Sequence, residues 1–144
     1  MADVSVTAGS VLPGASAKIV QYTAGAAITT GQVVYYDSST NTVKLADADL
    51  SLAAAAAIGI AVSTAAAANL PVLVNLEDDD FTVGGTLSLS ITGQNNVYVA
   101  SDTAGGIMPV GDLDVGDYVT FLGVAKSTTK MKLKPLAGGA AATA

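Results

Sequence analysis

The sequence predicts an all-β fold: a small β-sandwich or β-barrel with a short Ala-rich helical insertion and an extended N-terminal arm. Three observations carry this expectation. Runs of β-branched and aromatic residues recur about every eight to twelve positions between turn signals, the spacing of short antiparallel strands. Leu87, Leu89 and Ile91 alternate with Thr86, Ser88, Ser90 and Thr92, the period of a strand with one buried face. Helical composition is confined to one Ala-rich stretch at 47–57.

Taken in order, residues 1–17 lack periodicity around Leu12-Pro13-Gly14 and read as an arm that gains order on a neighbouring molecule. Thr29-Thr30-Gly31 then turns the chain into Gln32–Asp37 (QVVYYD), a strand. Ser38–Asn41 returns it through Thr42–Leu45, so the two strands read as a hairpin. Asp47–Ala57 reads as a short helix capped by Asp47 or Asp49. Ile58–Ser63 and Pro71–Leu76 read as strands, with Pro71 at a first position where a missing N–H is tolerated. The Ala-rich link 64–69 between them allows a further helical turn.

The second half reads as nearly pure sheet. Thr86–Thr92 turns at Gly93–Asn96 into Asn96–Ala100, with Val97 and Val99 pointing inward. Tyr118–Ala125 is a strand broken at Gly123, where a bulge is expected. In 130–134, Lys130, Lys132 and Lys134 share one face and Met131 and Leu133 the other, a pattern that guards an exposed sheet edge. Residues 137–144 (AGGAAATA) read as a flexible tail, which leaves 18–136 as the single domain.

Composition bounds function. The chain of 144 residues has no His, Cys, Arg or Trp, and Glu77 is its only Glu. The groups that titrate most readily near neutral pH, and that dominate nucleophilic and metal chemistry, are therefore missing. No Ser sits in a Gly-x-Ser-x-Gly elbow, and the Gly-Gly pairs at 84–85 and 105–106 do not form a phosphate loop. The expectation is a structural protein, with no catalytic residue, no metal site and no cofactor. Six Lys against twelve Asp plus Glu give a net charge of −6, which argues against nucleic acid as a partner. The longest apolar run, Leu52–Val62, is about half the length of a membrane helix, and Met1-Ala2-Asp3-Val4 does not open a signal peptide, so no membrane partner is expected. Only Phe81, Phe121 and five Tyr are aromatic. A core so poor in large side chains favours subunit association, in a homo-oligomer such as a dimer or trimer.

Several segments carry a resemblance. Tyr98–Pro109 (YVASDTAGGIMP), Gly111-Asp112-Leu113, Gly116–Thr120 (GDYVT) and Leu122–Ala125 (LGVA) resemble capsid decoration (cement) proteins of tailed bacteriophages. Gly31–Tyr35 (GQVVY), Val43–Ala48 (VKLADA) and Ile58–Ala61 (IGIA) fit the same pattern, so the resemblance spans residues 28–136. It implies a β-rich virion protein, made in the host cytoplasm, that binds the outer surface of an icosahedral capsid through the major capsid protein and stabilises the expanded shell. The alternative is a fibre, tail or surface module recognising a glycan or host protein, for which Tyr98 beside Asn95 and Asn96 is the only signal.

The expected capsid or subunit contacts are Val4, Val6, Val11 and Leu12 on the arm, Tyr35 and Tyr36 on opposite strand faces, and the Lys130, Lys132 and Lys134 stripe. Glu77–Asp80 forms an acidic pole opposite that stripe and reads as a solvated loop or contact patch, since it lacks the spacing of a calcium loop. Asp112 and Asp117 fit side-chain-to-backbone turn bonds.

Overall fold

The computed structural model describes residues 3–144, of which 42% lie in strands and 9% in helical turns, so the fold is all-β. Two five-stranded antiparallel sheets divide the chain into halves. The first holds β1 (Ile19–Thr23), β2 (Val33–Asp37), β3 (Thr42–Leu45), β4 (Ala57–Ala61) and β5 (Pro71–Asn75), in the order β1-β5-β4-β2-β3. The second holds β6 (Asp78–Thr82), β7 (Val97–Ala100), β8 (Ile107–Pro109), β9 (Tyr118–Ala125) and β10 (Lys130–Ala141), in the order β6-β10-β9-β7-β8.

The β2–β3 hairpin forms as its sequence predicts, pairing Val34 with Leu45 through to Asp37 with Thr42. Its turn is held by Asp37, whose carboxylate accepts from the Ser39 N–H at 3.0 Å, while Asn41 takes the left-handed conformation that Asn tolerates. Consecutive valines in β2 face opposite ways. Val33 joins Ala57, Ile60, Phe81, Tyr98, Leu122, Met131 and Leu133 in the core between the sheets. Val34 joins Val43, Ala61, Val72 and Val74 in a second core on the outer face. That second core is roofed by Ala24, Ile28 and Ala65, where Ala24 bridges Val43 and Ile28 bridges Ala65. The bridges draw the β1 end towards β3 and curl the first sheet into a partial barrel. Small alanines suit so narrow an interior, where Ala24, Ala61 and Ala65 are buried. Each fully buried Phe, Leu or Ile adds about 1.5–3 kcal/mol of hydrophobic stabilisation.

The helical insertion is a single turn, α1 (Leu52–Ala55), and Ser51 rather than Asp47 or Asp49 caps it, its Oγ accepting from the Ala54 N–H at 3.1 Å. The rest of the Ala run is taken into β4, because Ala57 pairs with Tyr35 across the sheet. Link 64–69 contains no helical turn.

Four further expectations are corrected. Thr86–Thr92 is not a strand: Leu87 is buried, but Leu89 and Ile91 are 53% and 82% exposed. Both flanks of β7 are occupied by β8 and β9, and Ser88 and Ser90 satisfy the N–H groups two residues on with their own hydroxyls. In β7 Tyr98 and Ala100 face the core between the sheets, while Val99 is buried, as expected, but on the opposite face, and Val97 is only half-buried. β10 is not an edge strand but lies between β6 and β9, so its lysines guard no edge. Residues 137–141 are not a loose tail but continue β10, with Ala137 paired to Thr120 and Ala141 to Tyr118. The bulge expected at Gly123 is present. Tyr98 pairs with Gly123 and Val99 with Phe121, leaving Leu122 as the extra residue, and a side chain at 123 would collide with the Lys132 carbonyl.

Candidate interaction surface

The arm lies along its own domain. The Val4 N–H donates to the Ile107 carbonyl at 2.8 Å and the Thr7 N–H to the Gly84 carbonyl at 2.8 Å, while Leu12 and Thr82 exchange two bonds at 3.0 Å. Its seat is made of glycines. A Cβ at Gly31 would meet Val6 at 2.5 Å, one at Gly106 would meet Asp3 at 2.5 Å, and one at Gly85 would strike the Ser5 carbonyl. Val11 is buried in the core and Val4 and Val6 pack against it, so of the four arm residues expected at contacts only Leu12 stands out, at 61% exposed. Ser101, in the segment most specific to the resemblance, donates its hydroxyl to the Asp3 carboxylate at 2.8 Å. Met1 and Ala2 lie outside the described residues.

Lys130, Lys132 and Lys134 do share one face, but the acidic pole is beside them rather than opposite. β6 pairs with β10, which sets Asp80 2.9 Å from Lys130 and 3.2 Å from Lys126, and Asp79 3.7 Å from Lys132. Glu77 meets Lys18 at 3.1 Å. Hydrogen bonds from Lys130 and Lys126 hold the Asp80 carboxyl below its usual range, and Lys18 does the same for Glu77. The four carboxylates do not converge on a common point. Asp78 turns inward and accepts from the Gly14 N–H at 2.7 Å, the Asn75 Nδ2 at 2.9 Å and the Asp80 N–H at 3.0 Å. This face is therefore an ion-pair lattice with its charges largely cancelled. On the β2–β3 hairpin, Lys44 at 2.7 Å keeps the Asp37 carboxyl well below the ordinary carboxylate range.

Tyr35 packs against the core between the sheets, and Tyr36 is 41% exposed on the other face, its hydroxyl donating to Asn41 Oδ1 at 2.9 Å and its ring 6.0 Å from that of Tyr22. Tyr98 is buried, and its hydroxyl accepts from the Ser88 N–H at 2.7 Å.

Sequence patterning missed the apolar end of the molecule. Leu50 and Leu52 flank the cap of α1 and are 69% and 48% exposed, and Val115 in the turn before β9 is 71% exposed. These loops meet at one end: the Tyr118 N–H donates to the Ala48 carbonyl at 2.8 Å, and the Gly116 N–H to the Ala142 carbonyl at 2.9 Å. Leu136, further along β10, is 68% exposed. The available signal was the pair of leucines on either side of a helix-capping serine, a place where side chains project from the first turn.

Carboxylate oxygens of Asp102, Asp114 and Asp117 lie within 4.8 Å of one another near this end, and Asp117 accepts from the Asp114 N–H at 3.0 Å in the turn bond its sequence suggests. Ser127-Thr128-Thr129-Lys130 has the Ser-x-x-Lys spacing of one class of serine nucleophile. Here, however, the Ser127 hydroxyl accepts from the Thr129 and Lys130 N–H groups, and the Lys130 ammonium is committed to Asp80. Compared with known proteins, the chain matches no family model, no curated protein and no solved structure.

Proposed function

We propose that this chain is a capsid decoration protein, a virion component that binds the outer surface of an icosahedral phage shell through the major capsid protein and stabilises its expanded form. The observation that supports this best is the character of the surface. Its ion pairs are internally matched, and three of its exposed apolar side chains, Leu50, Leu52 and Val115, lie on loops that meet at one end. Such an end is a place to bury apolar area against a protein partner. The resemblance carried by residues 98–125 adds to this, because that segment is continuous in space as β7, β8 and β9 and its Ser101 fastens the arm. Binding across subunit junctions stabilises the joined shell over the separated subunits by mass action. The glycan or host-protein reading loses its one signal, since Tyr98 is buried with its hydroxyl occupied.

The test is rebinding to expanded shells freed of decoration. The parent chain should saturate the shells and raise their melting temperature, and Leu52→Asp with Val115→Asp should weaken attachment at least tenfold while leaving the domain folded. A parent chain that neither binds the shells nor raises their melting temperature overturns the reading.

A further inference from the structure

We infer that the chain also associates with itself head to tail, the open edge of β1 in one copy taking residues 86–91 of a second copy as an added strand. Two elements carry this, one with a free edge and one outside both sheets. β1 is the outermost strand of the first sheet; among the described residues its one ladder partner is β5, and it meets β3 only past its C-terminal end, at the Ala24–Val43 bridge. Gln21 stands opposite Leu73, whose N–H donates to Ser63 Oγ and whose carbonyl accepts from Val62, both on the side away from β1. Gln21 is therefore at a non-hydrogen-bonded position of the β1–β5 pair, and it presents its N–H and C=O to the open side, as does Ile19 by the two-residue repeat, whereas the Thr23 end is closed against β3 by the Ala24–Val43 bridge. This edge contains neither Pro nor a charged residue, the usual guards against strand addition, and its Ile19 and Val20 are 41% and 42% exposed.

The second element is the segment with the best strand pattern in the sequence and no place in either sheet. Leu87 anchors it, while Leu89 and Ile91 project into solvent. Its first residues are fixed to the domain, the Leu87 N–H by the Thr128 carbonyl and the Ser88 N–H by the Tyr98 hydroxyl, while the N–H groups at 90 and 92 are held only by the Ser88 and Ser90 hydroxyls, local bonds that a ladder partner would replace.

The charge distribution selects a second copy as the occupant. Two chains of net charge −6 repel unless they meet through neutral surface, and residues 19–36 and 81–101 contain no charged side chain. One added strand buries less than the roughly 800 Å² per partner of a stable interface, so a single contact is weak. Because each copy carries both an edge and a segment, the contact is heterologous, and closing a ring gives every chain two contacts instead of one. This inference uses neither the apolar end nor the capsid, and it stands or falls separately from the decoration reading.

Sedimentation of the full chain at tens to hundreds of micromolar, without capsids, tests it. The parent should sediment as an assembly larger than one 14.1 kDa chain. Ile91→Lys, which alters a side chain 82% exposed, and Ile19→Lys, at 41%, should each fold and each sediment as single chains. Gln21→Pro, which removes an outward N–H without touching the β5 ladder, should match Ile19→Lys. Mixed one to one, Ile91→Lys and Ile19→Lys should form two-chain species and nothing larger, since one sound edge meets one sound segment. A parent that remains single, an Ile91→Lys that still assembles, or a mixture that does not pair overturns the proposal. So does self-pairing of Ile19→Lys, which would indicate segment-to-segment contact.

Discussion

The carboxylate of Asp78 accepts the backbone N–H of Gly14 at 2.7 Å, joining the arm to the first strand of the second sheet across 64 positions of sequence. The same carboxylate serves Asn75 Nδ2 and the Asp80 N–H, and it is 1% exposed. Asp78→Ala leaves those buried donors without an acceptor, so a loss of about 2–4 kcal/mol is expected in urea unfolding. Asp78→Asn keeps one acceptor oxygen and should lose less. Equal stability of the alanine variant and the parent would show that the Asp78 contact adds nothing to the valines and backbone bonds that hold the arm.

The glycine seat gives a second prediction, about the arm itself. A Cβ at Gly85 would strike the Ser5 carbonyl and lie 2.8 Å from a Val4 methyl, and backbone cannot yield as a side-chain tip does. Gly85→Ala should therefore lift residues 3–7 while the sheets remain intact. Amide exchange is the readout: the Val4 and Thr7 N–H groups, bonded to Ile107 and Gly84, should lose protection, and those of β9 should keep it. Unchanged protection at Val4 would show that the seat has slack.

The strands most legible in the sequence were those whose residues satisfy their own pattern, as in β2, β3, β5 and β9. The misread ones depend on a partner distant in sequence. β6 reads Asp-Asp-Asp-Phe-Thr, poor strand material, yet β10 brings lysines beside its carboxylates. Residues 137–141 have the composition of a linker, but β9 offers them a ladder. Conversely, Thr86–Thr92 has the pattern of a strand and finds both flanks of its neighbour taken. The charged site was misplaced for the same reason: residues 77–80 and 130–134 are distant along the chain, and only the β6–β10 register makes them neighbours.

Substitutions within residues 87–89 check that correction. Leu87 is 2% exposed against the core, and an unpaired carboxylate there should cost about 3 kcal/mol or more, so Leu87→Asp is expected to unfold at markedly lower urea. Leu89→Asp places the same group two residues on, at a site 53% exposed, and should change stability by no more than about 0.5 kcal/mol. Comparable damage from both would restore a buried strand at 86–92.

Acid should weaken the domain, and the sign follows from the direction of the carboxylate shifts. Lys44 holds the Asp37 carboxyl down, Lys130 and Lys126 hold down Asp80, and Lys18 holds down Glu77. A carboxyl depressed on folding contributes stability that is fully present above its unfolded value, near pH 4, and is lost as pH falls through the lower folded value. Asp49 works in the opposite sense: a hydrogen bond with Asp47 and the repulsion of its charge raise the Asp49 carboxyl, so protonation there relieves strain as pH falls. Three depressed groups against one raised group give a net loss of stability below about pH 4. These pairs are solvent-facing, so the effect should shrink in molar salt, where screening extends only about 3 Å. Asp37→Asn and Asp80→Asn together should flatten the fall in melting temperature between pH 4 and pH 2. An undiminished fall in the double variant would place the acid-sensitive contact elsewhere.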